Sequence, residues 1–295
     1  MRLGLALALA ALAAGPVTAP PYGGRSGWLE PPAVRPQTTL EYGHDPLQKL
    51  DFWRAKRAGG DAPLIVFVHG GGWSRGNKDN ATGRWKAVHY PQQGYAFASI
   101  NYRLVPSATV EQEAQDVAMA LKALLDRAAT LGIDKRRVVL MGHSAGAHLV
   151  ALVGTDERFL QAAGLSFADL AGVISIDGAG YDVPAQMAEA GGFMKQIYSQ
   201  AFGTNVERER ALSPTFHAQA PNAPHFLLLH VQRPDGVRQA QEFAAALRAS
   251  GTAVEEQQYP GFGLMGHMEI NRRLGDPGYA ATPAVDAWLE RVFAG

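Results

Sequence analysis

Val138-Val139-Leu140-Met141-Gly142-His143-Ser144-Ala145-Gly146-Ala147-His148-Leu149-Val150 opens as four bulky apolar residues and closes as an apolar helical pattern, with Gly-x-Ser-x-Gly where one gives way to the other. That placement has a mechanical meaning. A serine on a sharp strand-to-helix turn has its hydroxyl thrust out at the end of a sheet, and only glycine-sized neighbours allow the backbone to approach that closely. The context carries the weight, because a chain with 33 glycines can produce the bare pattern by chance. A serine hydroxyl is a weak nucleophile until a base takes its proton. Ser144 therefore predicts a histidine and an orienting carboxylate farther along the chain.

Working outward, strand patterns occur at 38–42, 49–54, 64–68, 95–100, 137–141, 173–176, 226–229 and 254–259. Leu64-Ile65-Val66-Phe67-Val68 is a continuous β-branched and aromatic run, typical of a strand buried on both faces. Between Val110 and Ala128 the apolar residues recur at three- and four-residue steps, which predicts an amphipathic helix. Further helical patterns cover 145–153, 237–249 and 283–293. Buried strands alternating with helices predict an α/β fold: a mostly parallel sheet covered on both faces, with ligands gathering at the carboxyl ends of its strands.

The 295 residues are 47% hydrophobic and 18% charged, sufficient for one large core. Basic and acidic residues both number 27, so no net field favours nucleic acid or an anionic membrane, and a small uncharged partner is expected. The absence of cysteine excludes disulfides, thiolate metal sites and a cysteine nucleophile. Arg2, the apolar run Leu3–Ala14 and the small residues around Val17-Thr18-Ala19 have the layout of a signal peptide over 1–19. Twelve apolar residues are too few for a membrane anchor, so the expectation is cleavage and a periplasmic or secreted protein. Residues 20–37, rich in Pro and Gly, read as a tether before a catalytic domain at 38–295.

Two other segments complete the chemistry. His69-Gly70-Gly71-Gly72-Trp73 directly follows the buried strand ending at Val68, and its glycines leave backbone N–H groups unshielded for a substrate oxygen. It lacks the Gly-Lys-Ser/Thr of a phosphate loop and the spacing of a dinucleotide fingerprint. Of nine histidines, His267 lies in a glycine-rich stretch after the last strand pattern, where the base of such a fold belongs. The acid is expected just past 226–229, where Asp235 is the only carboxylate in His230-Val231-Gln232-Arg233-Pro234-Asp235; Asp177, at the end of the preceding strand, is held in reserve. No metal or organic cofactor is called for.

The His-Gly-Gly-Gly-Trp loop, Asn101-Tyr102-Arg103-Leu104 and Gly-His-Ser-Ala-Gly together resemble α/β-hydrolase-fold esterases of the hormone-sensitive-lipase and bacterial carboxylesterase groups. Tyr42-Gly43, Leu50-Asp51, Gly-His-Ser-Ala-Gly-Ala-His, and His267 with Asn271 look most similar to the acetyl-xylan/feruloyl-esterase and kynurenine-formamidase branch. The resemblance implies that Gly71, Gly72 and Ala145 supply the oxyanion donors and that His69 is structural. It also places the acid four residues after the strand-end histidine, where this chain has Pro234, so Asp235 is displaced by one.

Residues 178–224 read as a small cap insertion, too short for the large lid of a true lipase. Trp73, Tyr181, Phe193 and Met194 are expected to line the substrate site, and an apolar cover favours short to medium acyl or aromatic esters. A formamidase or amidase using the same triad, and a non-catalytic binding protein of the same fold, remain open alternatives. The oligomeric state is not legible.

Overall fold

Eight strands form one sheet: β1 (Thr38–Glu41), β2 (Lys49–Trp53), β3 (Ala62–Val68), β4 (Ala96–Ile100), β5 (Ile133–His143), β6 (Gly172–Ile176), β7 (His225–Gln232) and β8 (Ala253–Phe262). Their spatial order is β1-β2-β4-β3-β5-β6-β7-β8; β2 runs antiparallel to both its neighbours, β1 and β4, and the strands from β4 to β8 pair in parallel. The computed structural model describes residues 31, 33–56, 60–79 and 83–295, and 31–295 form one unit. This is the mostly parallel, two-faced sheet of the α/β-hydrolase fold.

The buried runs explain the layering. Leu64, Val66 and Val68 of β3 join Val138 and Leu140 of β5 in one core, whereas Ile65 and Phe67 join Val139 and Met141 in the other. Every residue of β3 is buried because alternate side chains enter opposite cores. The first core is closed by helices Val110–Asp126, Ala145–Thr155 and Pro234–Ala249, and the second by Arg84–Gln92, Gly263–Arg273 and Ala281–Ala294. After β3 the chain steps to β4 on one side, then crosses back to β5 on the other. The crests of β3 and β5 therefore flank a topological switch point, where such sheets open a crevice.

Several boundaries differ from expectation. Helix Arg84–Gln92 has no sequence signal, since it contains Pro91 and lacks an apolar stripe; its first turn tolerates no prediction from periodicity. Helix Gly263–Arg273 occupies the glycine-rich stretch expected to be a loop, because Ile270 and Leu274 pack it on the second core. The stretch read as a tether ends in contact with the sheet: Trp53 Nε1–H donates to the Val34 carbonyl (3.1 Å), and Gln37 N–H to Phe52 O (2.9 Å). The expected signal peptide lies outside the described residues. Among the described residues, no helix is long and apolar enough to cross a membrane.

Candidate active site

Ser144 sits between β5 and helix Ala145–Thr155 with φ +56° and ψ −119°, a conformation that L-residues rarely adopt and that is kept only where surrounding structure enforces it. The enforcement is visible on both sides. Ser144 N–H donates to Ile176 O of β6 (3.0 Å), and Ser144 O accepts from His148 N–H (3.1 Å). A Cβ on Gly142 would stand 2.2 Å from Gly146 O, and one on Gly146 2.2 Å from Val68 O. Both glycines of the motif are thus demanded by close backbone approach.

The loop after β3 presses on this turn. A Cβ on Gly70 would lie 2.9 Å from both Ser144 Cβ and His143 O, which puts the glycine loop against the nucleophile. Gly71 and Gly72 have φ +128° and +59°, and among the described residues their N–H groups have no acceptor. Ala145 is the first residue of its helix, so its N–H is one of those left over at a helix start. Gly70 thus stands against Ser144, with Gly71 and Gly72 next along the loop and Ala145 next along the chain. His69 is structural in form: its ring stacks on Tyr102 (4.3 Å between centroids), Tyr102 O–H donates to His69 O (2.8 Å), and burial lowers its pKa to about 4.

His267 meets the turn from the far side of the sheet. Its ring lies 4.4 Å from that of His143, the residue before Ser144, and His143 Nε2–H donates to His267 O (2.9 Å). That bond leaves His143 Nδ1 without a proton; burial first, and then the neighbouring His267, hold His143 well below the usual histidine range and keep it neutral.

The carboxylate at His267 is Asp177, not Asp235. His267 Nδ1–H donates to Asp177 Oδ2 at 2.5 Å, with the aspartate side chain fully buried. Asp177 directly follows β6, has φ +44°, donates its N–H to Leu229 O (2.6 Å) and accepts Val231 N–H on Oδ1 (3.1 Å). Burial alone would push its carboxyl up, but the His267 hydrogen bond and the Arg233 charge outweigh that and hold it below the usual carboxylate range. Asp235 is elsewhere because β7 runs on to Gln232 and the next helix starts at Pro234, which carries Asp235 into a first helical turn. There it accepts from Gln186 Nε2 (3.4 Å) and lies 3.8 Å from Arg233 Nη1.

The cap consists of helices Val183–Glu189, Gly192–Phe202, Val206–Ala211 and Pro214–His217. Ile197 hangs over the oxyanion loop, since a Cβ on Gly72 would be 2.9 Å from its Cγ2. Phe193 and Met194, one turn earlier, are exposed, with Arg75 5.8 Å over the Phe193 ring. Two expected pocket residues are interior instead. Tyr181 stacks on Phe243 (5.0 Å) and shares a 2.5 Å hydrogen bond with Ser175, so it packs the cap root into the core. Trp73 lies edge-on to Phe202 and His148, and its Nε1–H donates to His148 Nδ1 (3.2 Å). His148 in turn donates Nε2–H to Leu212 O (2.8 Å), tying the glycine loop to the cap.

Several residues that carried the family resemblance, or escaped notice altogether, brace the site. Arg103 forks onto Asp116 (2.8 and 2.6 Å), Tyr42 O–H donates to Asn101 O (2.5 Å), and Lys86 binds Asn271 Oδ1 (3.0 Å) on the helix of His267. Tyr42, Asn101, Arg103 and Asn271 stood out in the sequence only through the resemblance, with no role attached, whereas Asp116 and Lys86 gave no signal beyond a charge amid apolar runs.

The BD-FAE family model matches residues 50–247. Esterase LipC of Mycobacterium tuberculosis is 32% identical over 235 residues, covering 75% of this chain and 58% of that protein. A probable isoprenylcysteine alpha-carbonyl methylesterase of Arabidopsis thaliana is 26% identical over 202 residues, 64% of this chain and 40% of that protein. The chain spans about half the length of the curated relatives it matches. Among solved structures, esterase B of Lactobacillus rhamnosis superposes with TM-score 0.70 at 22% identity, over 89% of this chain and 87% of that one. A truncated carbohydrate esterase from gut microbiota does so with TM-score 0.71 at 19% identity, over 88% and 97%.

Proposed function

Because this chain belongs to the BD-FAE family of α/β-hydrolase-fold proteins, we propose that it is a serine carboxylesterase whose triad is Ser144, His267 and Asp177. One observation carries the reading: a serine strained to φ +56° directly follows His143, whose ring lies 4.4 Å from that of His267, and His267 Nδ1–H is held by a buried carboxylate. Nδ1–H donation to Asp177 leaves Nε2 of His267 as the free lone pair, the tautomer a general base requires. His267 takes the Ser144 proton as Oγ attacks the ester carbonyl. Gly71, Gly72 and Ala145 N–H groups receive the oxyanion, each such donor being worth about 3 kcal/mol in the transition state. His267 then returns the proton to the departing alcohol, and water attacks the acyl-enzyme by the same route.

Uncharged, short to medium acyl or aromatic esters suit this site. Phe193 and Met194 on the cap, and Leu264 and Met265 beside His267, are exposed apolar side chains that favour such groups over charged ones. The match to the kynurenine formamidase of Danio rerio, 29% identical over 119 residues, keeps an amidase reading alive. Relative turnover of p-nitrophenyl acetate and N-formylkynurenine separates the two. Export with removal of residues 1–19 belongs to the same proposal, and amino-terminal sequencing of protein recovered outside the cytoplasm checks it.

Ser144→Ala is the direct test of the mechanism. Ester hydrolysis should fall by at least ~10³-fold and fluorophosphonate labelling should vanish; retention of near wild-type hydrolysis by the folded variant refutes the triad.

A further inference from the structure

In the loop after β7, at the crest where this sequence leads one to expect the acid, stands an arginine whose charge is turned onto the acid of the neighbouring strand. Arg233 Nε lies 3.3 Å from Asp177 Oδ2, the same oxygen that receives the His267 proton. The contact is an ion pair without hydrogen-bond alignment. Arg233 Nη2–H instead donates to Gly178 O (2.8 Å), and to Asp177 O at 3.5 Å. The guanidinium thus grips the two carbonyls that follow the φ +44° Cα and shares the Asp177 carboxylate with the imidazole.

Resting on the triad proposed above, we infer that Arg233 is a positioning residue that sets the acid limb of the pH–rate profile, by opposing the positive charge His267 acquires when it takes a proton. The physical basis is a competition at one oxygen. Asp177 favours the imidazolium form of His267, and a fixed guanidinium on that same oxygen cancels part of the effect. A base whose protonation is discouraged stays competent at lower pH. The other charged or titratable groups around His267 bear on its proton less directly. His143 is buried, neutral and committed to the His267 carbonyl. Lys86 reaches the helix of His267 through Asn271, and burial lowers its pKa. Asp235 faces Arg233 at 3.8 Å and is held by Gln186. Arg233 is the only one of these side chains with a charge on Asp177 itself.

The test compares pH profiles of kcat/KM for the wild type, Arg233→Met and Arg233→Lys, with Arg238→Met as a control for loss of one positive charge nearby. Removing the guanidinium should raise the acid-limb midpoint by about half to one pH unit, whereas Arg233→Lys restores most of the wild-type midpoint. Arg238→Met, whose arginine pairs with Glu189, should leave it unmoved. An unshifted limb in folded Arg233→Met, even with a lower kcat, overturns the inference and leaves Arg233 a structural brace. Should Arg233→Met fail to fold, Arg233→Gln carries the same expectation. Loss of activity in Asp177→Asn together with an unshifted limb refutes only the role of Arg233; full activity in Asp177→Asn refutes the triad beneath it.

Discussion

Asp177 Oδ2 takes the Nδ1 proton of His267 from the crest of β6, the strand adjacent to the one that carries Ser144. The acid and the nucleophile are also linked through the backbone, because Ser144 N–H donates to Ile176 O, the residue before Asp177. Any shift of that crest moves both groups together. Asp177→Asn should reduce kcat by roughly 10³- to 10⁴-fold, since the neutral amide no longer fixes the tautomer or supports the imidazolium. Asp235→Asn should keep kcat within about fivefold of wild type at pH 8. Steady-state kinetics on both variants decides between them.

Tyr181→Phe should leave KM for p-nitrophenyl esters unchanged and lower the melting temperature. The hydroxyl lies in the interior against Ser175, so its loss costs about 1 kcal/mol of hydrogen bonding and removes nothing from a substrate. A KM raised severalfold, with the melting temperature intact, contradicts the interior placement.

Trp73→Phe should act on the oxyanion loop and the cap together. The indole N–H holds His148 in the tautomer whose Nε2–H reaches Leu212 O, so one deletion loosens the link between loop and cap. A decrease of about 10-fold or more in kcat, with a smaller change in KM, is expected, because oxyanion donors act in the transition state. Burial lowers the His148 pKa to about 4, well below 6.5. A histidine with a depressed folded pKa contributes stability that is present above pH 6.5 and is lost as pH falls toward 4. Wild-type melting temperatures should therefore drop through that window.

Glu113→Gln should stabilise the protein, increasingly so as pH rises. Glu113 is fully buried, its Oε1 accepts only Val105 N–H (3.2 Å), and burial raises its pKa to about 10. Below pH 4.5 the carboxyl is protonated in both folded and unfolded chains and costs nothing. Between 4.5 and 10 the unfolded chain ionises while the folded one does not, which removes about 1.4 kcal/mol of stability per pH unit. Melting curves of the two proteins should coincide near pH 4 and separate by pH 8.

How much of this was legible in the sequence depended on whether the signal was local. The fully buried runs 64–68 and 138–141 can be read without a partner, because a strand buried on both faces is apolar throughout. Ser144 and His267 were found by local context and chain order. The carboxylate was read only as a reserve choice, Asp177 behind Asp235, because its identity depends on how far β7 extends: pairing of His230 with Gln258 and of Gln232 with Phe262 draws the chain past the point where a loop was expected. That is a property of two strands together. Tyr181 and Trp73 show the same limit from another side, since an aromatic residue near a site faces a pocket or a core according to its neighbours in space. Helix Arg84–Gln92 escaped because Lys86, His89 and Pro91 are among its buried residues, a pattern with no apolar stripe.

The placement of the acid on β6 has a consequence for the order in which the site comes into being. The glycine loop, Ser144 and Asp177 all follow the adjacent strands β3, β5 and β6, so all three have been synthesised when the chain reaches residue 177. His267 arrives only after two further strands have been laid at the sheet's edge. During synthesis from the amino terminus, the half-buried Ser144 therefore waits, without its proposed base, until the last part of the chain has been added.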